Sequence, residues 1–201
     1  MGDFLRHPGR RRLGEPQISW RARRLSDLIR EAVSRRDYDT FGQLIAEYLD
    51  WCIARYASLP GMVEQAFAHQ SMAAELDILP VKYGPPNGRT LVAETADGII
   101  GCVAYRRIPP DGVCEMKRLF IPERHQQAGL GRRLCQRIIE AARADGLRFM
   151  RLETGDLFHE AIALYRKLGF RECQHYTAYP AVVQPHIVTM ELDLAQAATP
   201  G

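Results

Sequence analysis

The run Ile121-Pro122-Glu123-Arg124-His125-Gln126-Gln127-Ala128-Gly129-Leu130-Gly131 gathers residues suited to holding an anion. An extended apolar stretch precedes it, poor helix formers fill it, and a long amphipathic pattern follows, so a strand, a loop and a helix start meet there. Glycine lets a ligand approach the main chain, and the unsatisfied N–H groups of a helix start bind phosphate. Arg132 and Arg133 add positive charge at that point, which suits a diphosphate. Two nucleotide-binding patterns do not fit. A dinucleotide fingerprint needs a third glycine where Leu134 stands, and a nucleoside-triphosphate loop needs Gly-Lys-Ser/Thr, which does not follow here.

The elements that must position this loop can be read from periodicity. From Asp39 the apolar positions Phe41, Leu44, Ile45, Tyr48, Leu49, Cys52, Ile53 and Tyr56 recur at three- and four-residue spacing, which predicts a helix capped by Asp39 or Thr40 and ending before Pro60. A second helix is expected between Met62 and Leu79, followed by a loop over 82–88. Thr90–Glu94 and Ile99–Ile108 flank Asp97-Gly98, a hairpin signal, and Pro109-Pro110-Asp111-Gly112 turns the chain into a strand at Val113–Ile121. Leu130–Ala144 reads as a helix stopped by Gly146, Arg148–Leu152 as a strand, Phe158–Leu168 as a helix closed by Gly169, and Ile187–Leu194 as a last strand. Leu28–Val33 is compatible with strand or helix. An antiparallel hairpin in the first half and a βαβ unit in the second predict an α/β (α+β) fold.

Charge and composition bound the remaining possibilities. Residues 1–24 hold seven arginines against Asp3 and Glu15, while the rest carries 20 basic and 22 acidic residues, so the body is near neutral and no nucleic-acid partner is expected. The basic segment reads as an unstructured extension over 1–26, with polyanion binding or organellar targeting as its other readings. The expected domain covers 27–194, with a short tail at 195–201. No apolar run approaches the ~20 residues of a membrane span, so no membrane partner is expected. Five cysteines without a C-x-x-C pair suggest neither a disulfide framework nor a metal site, and Cys102, Cys114 and Cys135 read as small buried thiols. A reducing cytoplasm fits this usage.

Residues 126–131 match the Q/R-x-x-G-x-G/A pattern, and Arg118 to Gly131, RLFIPERHQQAGLG, is similar to a strand-loop-helix segment common in the GNAT (GCN5-related N-acetyltransferase) superfamily. About forty residues on, Ala161, Leu164, Tyr165, Gly169 and Phe170 match that family's A-x-x-L-Y-x-x-x-G-F. The chain therefore resembles a GNAT enzyme from about Leu28 to Leu194. It is most similar to a bacterial subgroup with a GVCEMKRL fourth strand and a closing Met190-Glu191-Leu192. The resemblance implies a mixed, mostly antiparallel central sheet with flanking helices. It makes Ile29–Val33 the first strand and the next two helices a substrate-side lid.

By the same resemblance the cosubstrate is acetyl-CoA, with no metal, and the acceptor is the primary amine of a small molecule or protein attacked directly in a ternary complex. The pantetheine arm would pair with Leu119, Phe120 and Ile121, and the diphosphate would meet Gln126, Gln127, Ala128, Gly129, Leu130, Gly131 and Arg132. Tyr165 would donate to the leaving thiolate. Glu115, eleven residues before Gln126, stands where several members place a general base, its competing reading being an ion pair with an arginine. A main-chain N–H of Leu119 or Phe120 is the oxyanion donor. His125, His159 and His175 are further acid or base candidates. Three positions depart from the family pattern: Gln126-Gln127 replaces Arg-Gly, Pro122 stands one residue early, and Phe158 replaces an asparagine. Gln126, Gln127 and Phe158 leave a non-catalytic CoA-binding sensor or interaction domain as the second reading. A homodimer is the assembly left open.

Overall fold

Ser34 sets the first helix. Its side chain accepts from the Asp37 main chain while Asp37 accepts from Ser34, a reciprocal cap that satisfies two orphan donors. The computed structural model describes residues 29–69, 72–126 and 129–195. The basic segment at 1–26 and nearly all of the expected tail lie outside them. Strand β1 (Ile29–Glu31) leads into α1 (Arg35–Arg55), then α2 (Met62–His69), α3 (Met72–Asp77) and α4 (Leu79–Tyr83). Strands β2 (Gly88–Thr95), β3 (Gly98–Ile108) and β4 (Val113–Phe120) follow, then α5 (Leu130–Ala144), β5 (Phe149–Gly155), α6 (His159–Lys167), β6 (Arg171–Glu172) and β7 (Ile187–Asp193).

The seven strands form one sheet in the order β1-β2-β3-β4-β5-β7-β6. Among the described residues only β4 and β5 pair in parallel, with α5 between them in the chain; the other neighbours are antiparallel. This is the mixed, mostly antiparallel sheet with flanking helices that the sequence implied. On one face α5 buries Leu134, Cys135, Ile138 and Ala142, and on the other α1 packs Phe41, Leu44 and Ile45 against Val92, Cys102 and Ala104. Cys102, Cys114 and Cys135 are buried thiols as expected.

Two helical expectations need correction. The first helix starts at Arg35, not at Asp39 or Thr40, because the Ser34–Asp37 box caps it one turn earlier. The expected single helix over Met62–Leu79 is three short ones, the last running through Pro80 near its start into Tyr83, within the segment read as loop. Proline is tolerated in a first helical turn, where its missing N–H costs nothing. The strand β6 had no signal in its two residues.

The sheet opens where the chemistry was expected. The β4–β5 pairing ends at Glu115↔Arg151, although β4 continues to Phe120 and β5 to Gly155. Facing β3, the register passes from Ala104↔Lys117 to Cys102↔Phe120, so β4 carries one extra residue. A bulge of this kind frees an unpaired residue and bends the strand. Arg118 sits within it at a φ of 60°.

Candidate active site

A cleft of about 370 Å³ occupies the gap, and it brings together Leu119, Phe120, Ile121, Gln126, Gly131 and Tyr165. Trp51, Thr154 and Phe158 complete its walls. The local geometry follows from sequence. Gly129 is the N-cap of α5 at a φ of 91°, the left-handed region that glycine enters at no steric cost. A Cβ on Gly131 would lie 3.7 Å from Ile121 and 3.9 Å from Leu164, so its hydrogen leaves the cleft floor open. Leu130 is fully buried and anchors the helix start, and Arg132 is exposed beside it. Gln126 donates from its side chain to the Ile121 carbonyl at 3.3 Å, closing the loop on the strand end. Gln127 and Ala128 lie outside the described residues.

The first turn of α5 has no acidic residue and carries Arg132 and Arg133. Cations at a helix N-terminus oppose the macrodipole, at a cost of some tenths of a kcal/mol each, unless an anion sits between them. The open floor at Gly131, the N–H groups that a helix start leaves without intrahelical partners and the two arginines fit a diphosphate.

Tyr165 lies on α6, buried against Phe170 with ring centroids 5.8 Å apart, and it lines the cleft. Among the described residues its hydroxyl makes no hydrogen bond, and burial pushes its phenol well above the usual range. It therefore remains protonated, a donor without an acceptor.

Behind the cleft lies a second cavity of about 90 Å³, which shares Tyr48, Thr154 and Phe158 with it. Met62, Val63, Ala66 and Phe67 from α2 and Tyr56 from the end of α1 form one side; Lys117, Arg118, Glu153, Tyr179 and His186 form the other. Cys52 also reaches it, with a thiol pushed up to about 12 by burial.

Glu115 lines neither cavity. It is 1% exposed, and both of its oxygens are engaged: Oε2 by Arg106 at 2.7 Å, Oε1 by Lys117 at 3.1 Å and by the Tyr176 hydroxyl at 3.0 Å. Burial pushes its carboxyl up, but Lys117 and Arg106 outweigh burial and hold it below the ordinary range. The competing ion-pair reading thus describes its surroundings. Of the histidines, His175 meets Thr189 at 2.6 Å, and neither it nor His125 nor His159 lines either cavity. His186, which sequence reading passed over, does line the second cavity and meets Asp156 at 2.9 Å.

Glu153 was also missed. Its Oε2 accepts from Tyr179 at 2.8 Å and Thr177 at 3.1 Å, while Oε1 is buried without a hydrogen-bond partner. Its only sequence signal is a place at the end of a predicted strand, and the residues that hold it come from about 25 positions downstream.

Residues 43–170 match the acetyltransferase (GNAT) family. An uncharacterized N-acetyltransferase of Schizosaccharomyces pombe is 33% identical over 162 residues, which span 80% of this chain and 91% of that protein. The IAA acetyltransferase of Azospirillum brasilense is 41% identical over 87 residues, 43% of this chain and 57% of that one. The crystal structure of an acetyltransferase from Streptococcus agalactiae shares the fold, with a TM-score of 0.62 at 18% identity over 82% of this chain and 96% of that one. With the family match covering well over half of its length, the chain belongs to the acetyltransferase (GNAT) family.

Proposed function

We propose that the protein transfers an acetyl group from acetyl-CoA to a primary amine by direct attack in a ternary complex. One observation carries this reading: a cleft with an anion-ready helix start at one end and Tyr165 inside it adjoins, across Tyr48, Thr154 and Phe158, a second cavity. Two chambers with a shared wall suit two substrates that meet at one bond.

Acetyl-CoA supplies an activated thioester. The chain's residues do the rest. The strand end at Leu119, Phe120 and Ile121 offers main-chain groups to an extended amide-bearing arm, as in edge pairing. The start of α5 at Gly129, Leu130, Gly131 and Arg132, with the residues Gln126, Gln127 and Ala128 that precede it in sequence, would take the diphosphate. The bulge near Leu119 or Phe120 supplies a main-chain N–H for the oxygen that gains charge during transfer. Tyr165 gives a proton or hydrogen bond to the departing sulfur.

Direct attack is favoured over an acyl-enzyme because Cys52, the one cysteine on either cavity among the described residues, keeps its proton near neutral pH. Phe158, where the family pattern has asparagine, favours the second reading of a non-catalytic CoA-binding module. The two separate in one experiment. Calorimetry with acetyl-CoA should show binding, and thiol release with a panel of primary amines should show turnover; binding without any turnover selects the module, and no binding refutes both.

A further inference from the structure

One ionisable group of the second cavity has half of its carboxylate unpartnered. Glu153 stands two residues beyond Arg151, the last β5 residue paired with β4, and Lys117 stands two beyond its partner Glu115. The two therefore occupy matching positions where the strands part, and both line the cavity. Lys117 nevertheless pairs with Glu115 at 3.1 Å, and among the described residues Glu153 makes no ion pair. Tyr179 and Thr177 fix Oε2 and so orient the carboxylate, while Oε1 is withheld from water with no donor. A buried acceptor left in that state costs about 1–3 kcal/mol. A donor arriving in the cavity would relieve that cost.

We propose that Glu153 accepts a proton from the acceptor's ammonium group through Oε1, and that this acceptor is a compact primary amine on an apolar body. This rests on the transferase reading given above. The apolar body follows from the wall that Met62, Val63, Ala66 and Phe67 present, and the compactness from a cavity of about 90 Å³, about a quarter of the cleft's 370 Å³. The step balances as follows. The ammonium gives one proton to Glu153, and the neutral nitrogen bonds to the acetyl carbon as the carbon–sulfur bond breaks. The thiolate takes a proton from Tyr165, and the second proton of the new amide nitrogen passes through water to the Tyr165 oxygen and restores its phenol. Glu153 releases its proton only after the amide leaves and water refills the cavity.

The charges around Glu153 suit this work. Burial pushes its carboxyl above the ordinary range, toward the working range of a general base, and Glu115 adds to the rise. Lys117, Tyr179 and Thr177 oppose it. Across the cavity stand Arg118, held by Glu75 at 2.8 Å, and the His186–Asp156 pair; Tyr176 and Cys173 approach from the segment after β6.

The test compares acetyl-CoA-dependent acetylation of butylamine and phenethylamine by the full chain and its variants. Glu153→Gln should lower kcat at least 100-fold, abolish the rising limb of the kcat/KM pH profile and leave acetyl-CoA affinity unchanged. Tyr179→Phe removes a bond to the charged form and should move that limb to higher pH while retaining activity. If Glu153→Gln keeps the wild-type rate and limb, or if His186→Asn alone removes the limb, the assignment of Glu153 is overturned. If the wild type acetylates other amines but neither probe, the apolar-amine assignment is overturned. If the wild type binds no acetyl-CoA, the transferase reading fails, and the role of Glu153 with it.

Discussion

The Trp51 ring lies 5.0 Å from the Phe158 ring at an interplanar angle of 30°, joining the C-terminal end of α1 to the start of α6. Phe158 also meets Tyr56 edge-on at 5.6 Å, and it lines both cavities. A side chain that is 7% exposed and touches two helices is part of the core as well as the dividing wall. Phe158→Ala should cost about 3–5 kcal/mol of stability, the range for a buried aromatic truncated to a cavity. It should also merge the chambers and raise the KM for the amine more than that for acetyl-CoA. Denaturant unfolding and steady-state kinetics check the two halves separately. Unchanged stability would show the wall to be dispensable.

Tyr165→Phe keeps the packing against Phe170 and removes one hydroxyl that no described residue uses. If that hydroxyl serves the departing sulfur, kcat should fall about 10²-fold while acetyl-CoA affinity stays within about twofold, since the bond is made in the transition state alone. Calorimetry and turnover measured on one preparation decide it. An equal loss in both would make the tyrosine a binding and packing residue.

The motif at 126–131 was legible because everything it needs is local: a strand end, a left-handed glycine and a helix start adjacent in sequence. Leu119, Phe120, Ile121 and Gly131 consequently fall together in the cleft, and Tyr165 joins them through a second local pattern. The second cavity was not legible. Its walls come from α1, α2, β4, β5 and the segment at 179–187, and no pattern in one of these foretells the others. Glu115 shows the same limit in reverse. Its position in the strand suggested a base, but only the fold reveals that Arg106, Lys117 and Tyr176 converge on it. The Ser34–Asp37 cap was missed because aspartate takes the place usually held by glutamate or glutamine.

Two neighbouring glycines should behave differently. Gly129→Ala must place a side chain at a φ of 91°, which costs about 1–2 kcal/mol whatever the space around it. Gly131→Ala meets only ordinary contacts at 3.7 and 3.9 Å, so stability should change by no more than about 0.5 kcal/mol. Its methyl group would stand on the cleft floor, and the acetyl-CoA Kd should rise about tenfold. Calorimetry alongside thermal melts checks the contrast, and an unaltered Kd for Gly131→Ala would place the cosubstrate elsewhere.

Arg118 in the β4 bulge is held by Glu75 of α3, whose other contacts are Lys82 at 2.5 Å and Tyr83 at 2.9 Å. Burial raises the Glu75 carboxyl, but Arg118 and Lys82 outweigh burial and keep it below the ordinary range. Its contribution is therefore present above the unfolded carboxylate pKa and is lost as pH falls through the lowered folded value. Glu75→Ala removes the carboxylate from a buried arginine and should cost about 3–5 kcal/mol at pH 7. The deficit should shrink in acid, where the wild type loses the same interaction. Unfolding curves across pH 3 to 7 measure both.

Glu153 carries the opposite sign. Because its folded pKa is raised, its charged form destabilises the folded chain above the folded value, and protonation relieves that penalty as pH falls. Glu153→Gln should therefore melt above the wild type at pH 7, with the gap closing in acid as wild-type Glu153 becomes neutral. Tyr179 and Thr177 can rotate their hydroxyls to accept from or donate to the amide, so Oε2 keeps acceptable partners. A variant that is slower yet more stable is the signature of a group held in an unfavourable state for its chemistry. A Tm below that of the wild type at pH 7 would instead show that the Glu153 carboxylate stabilises the fold.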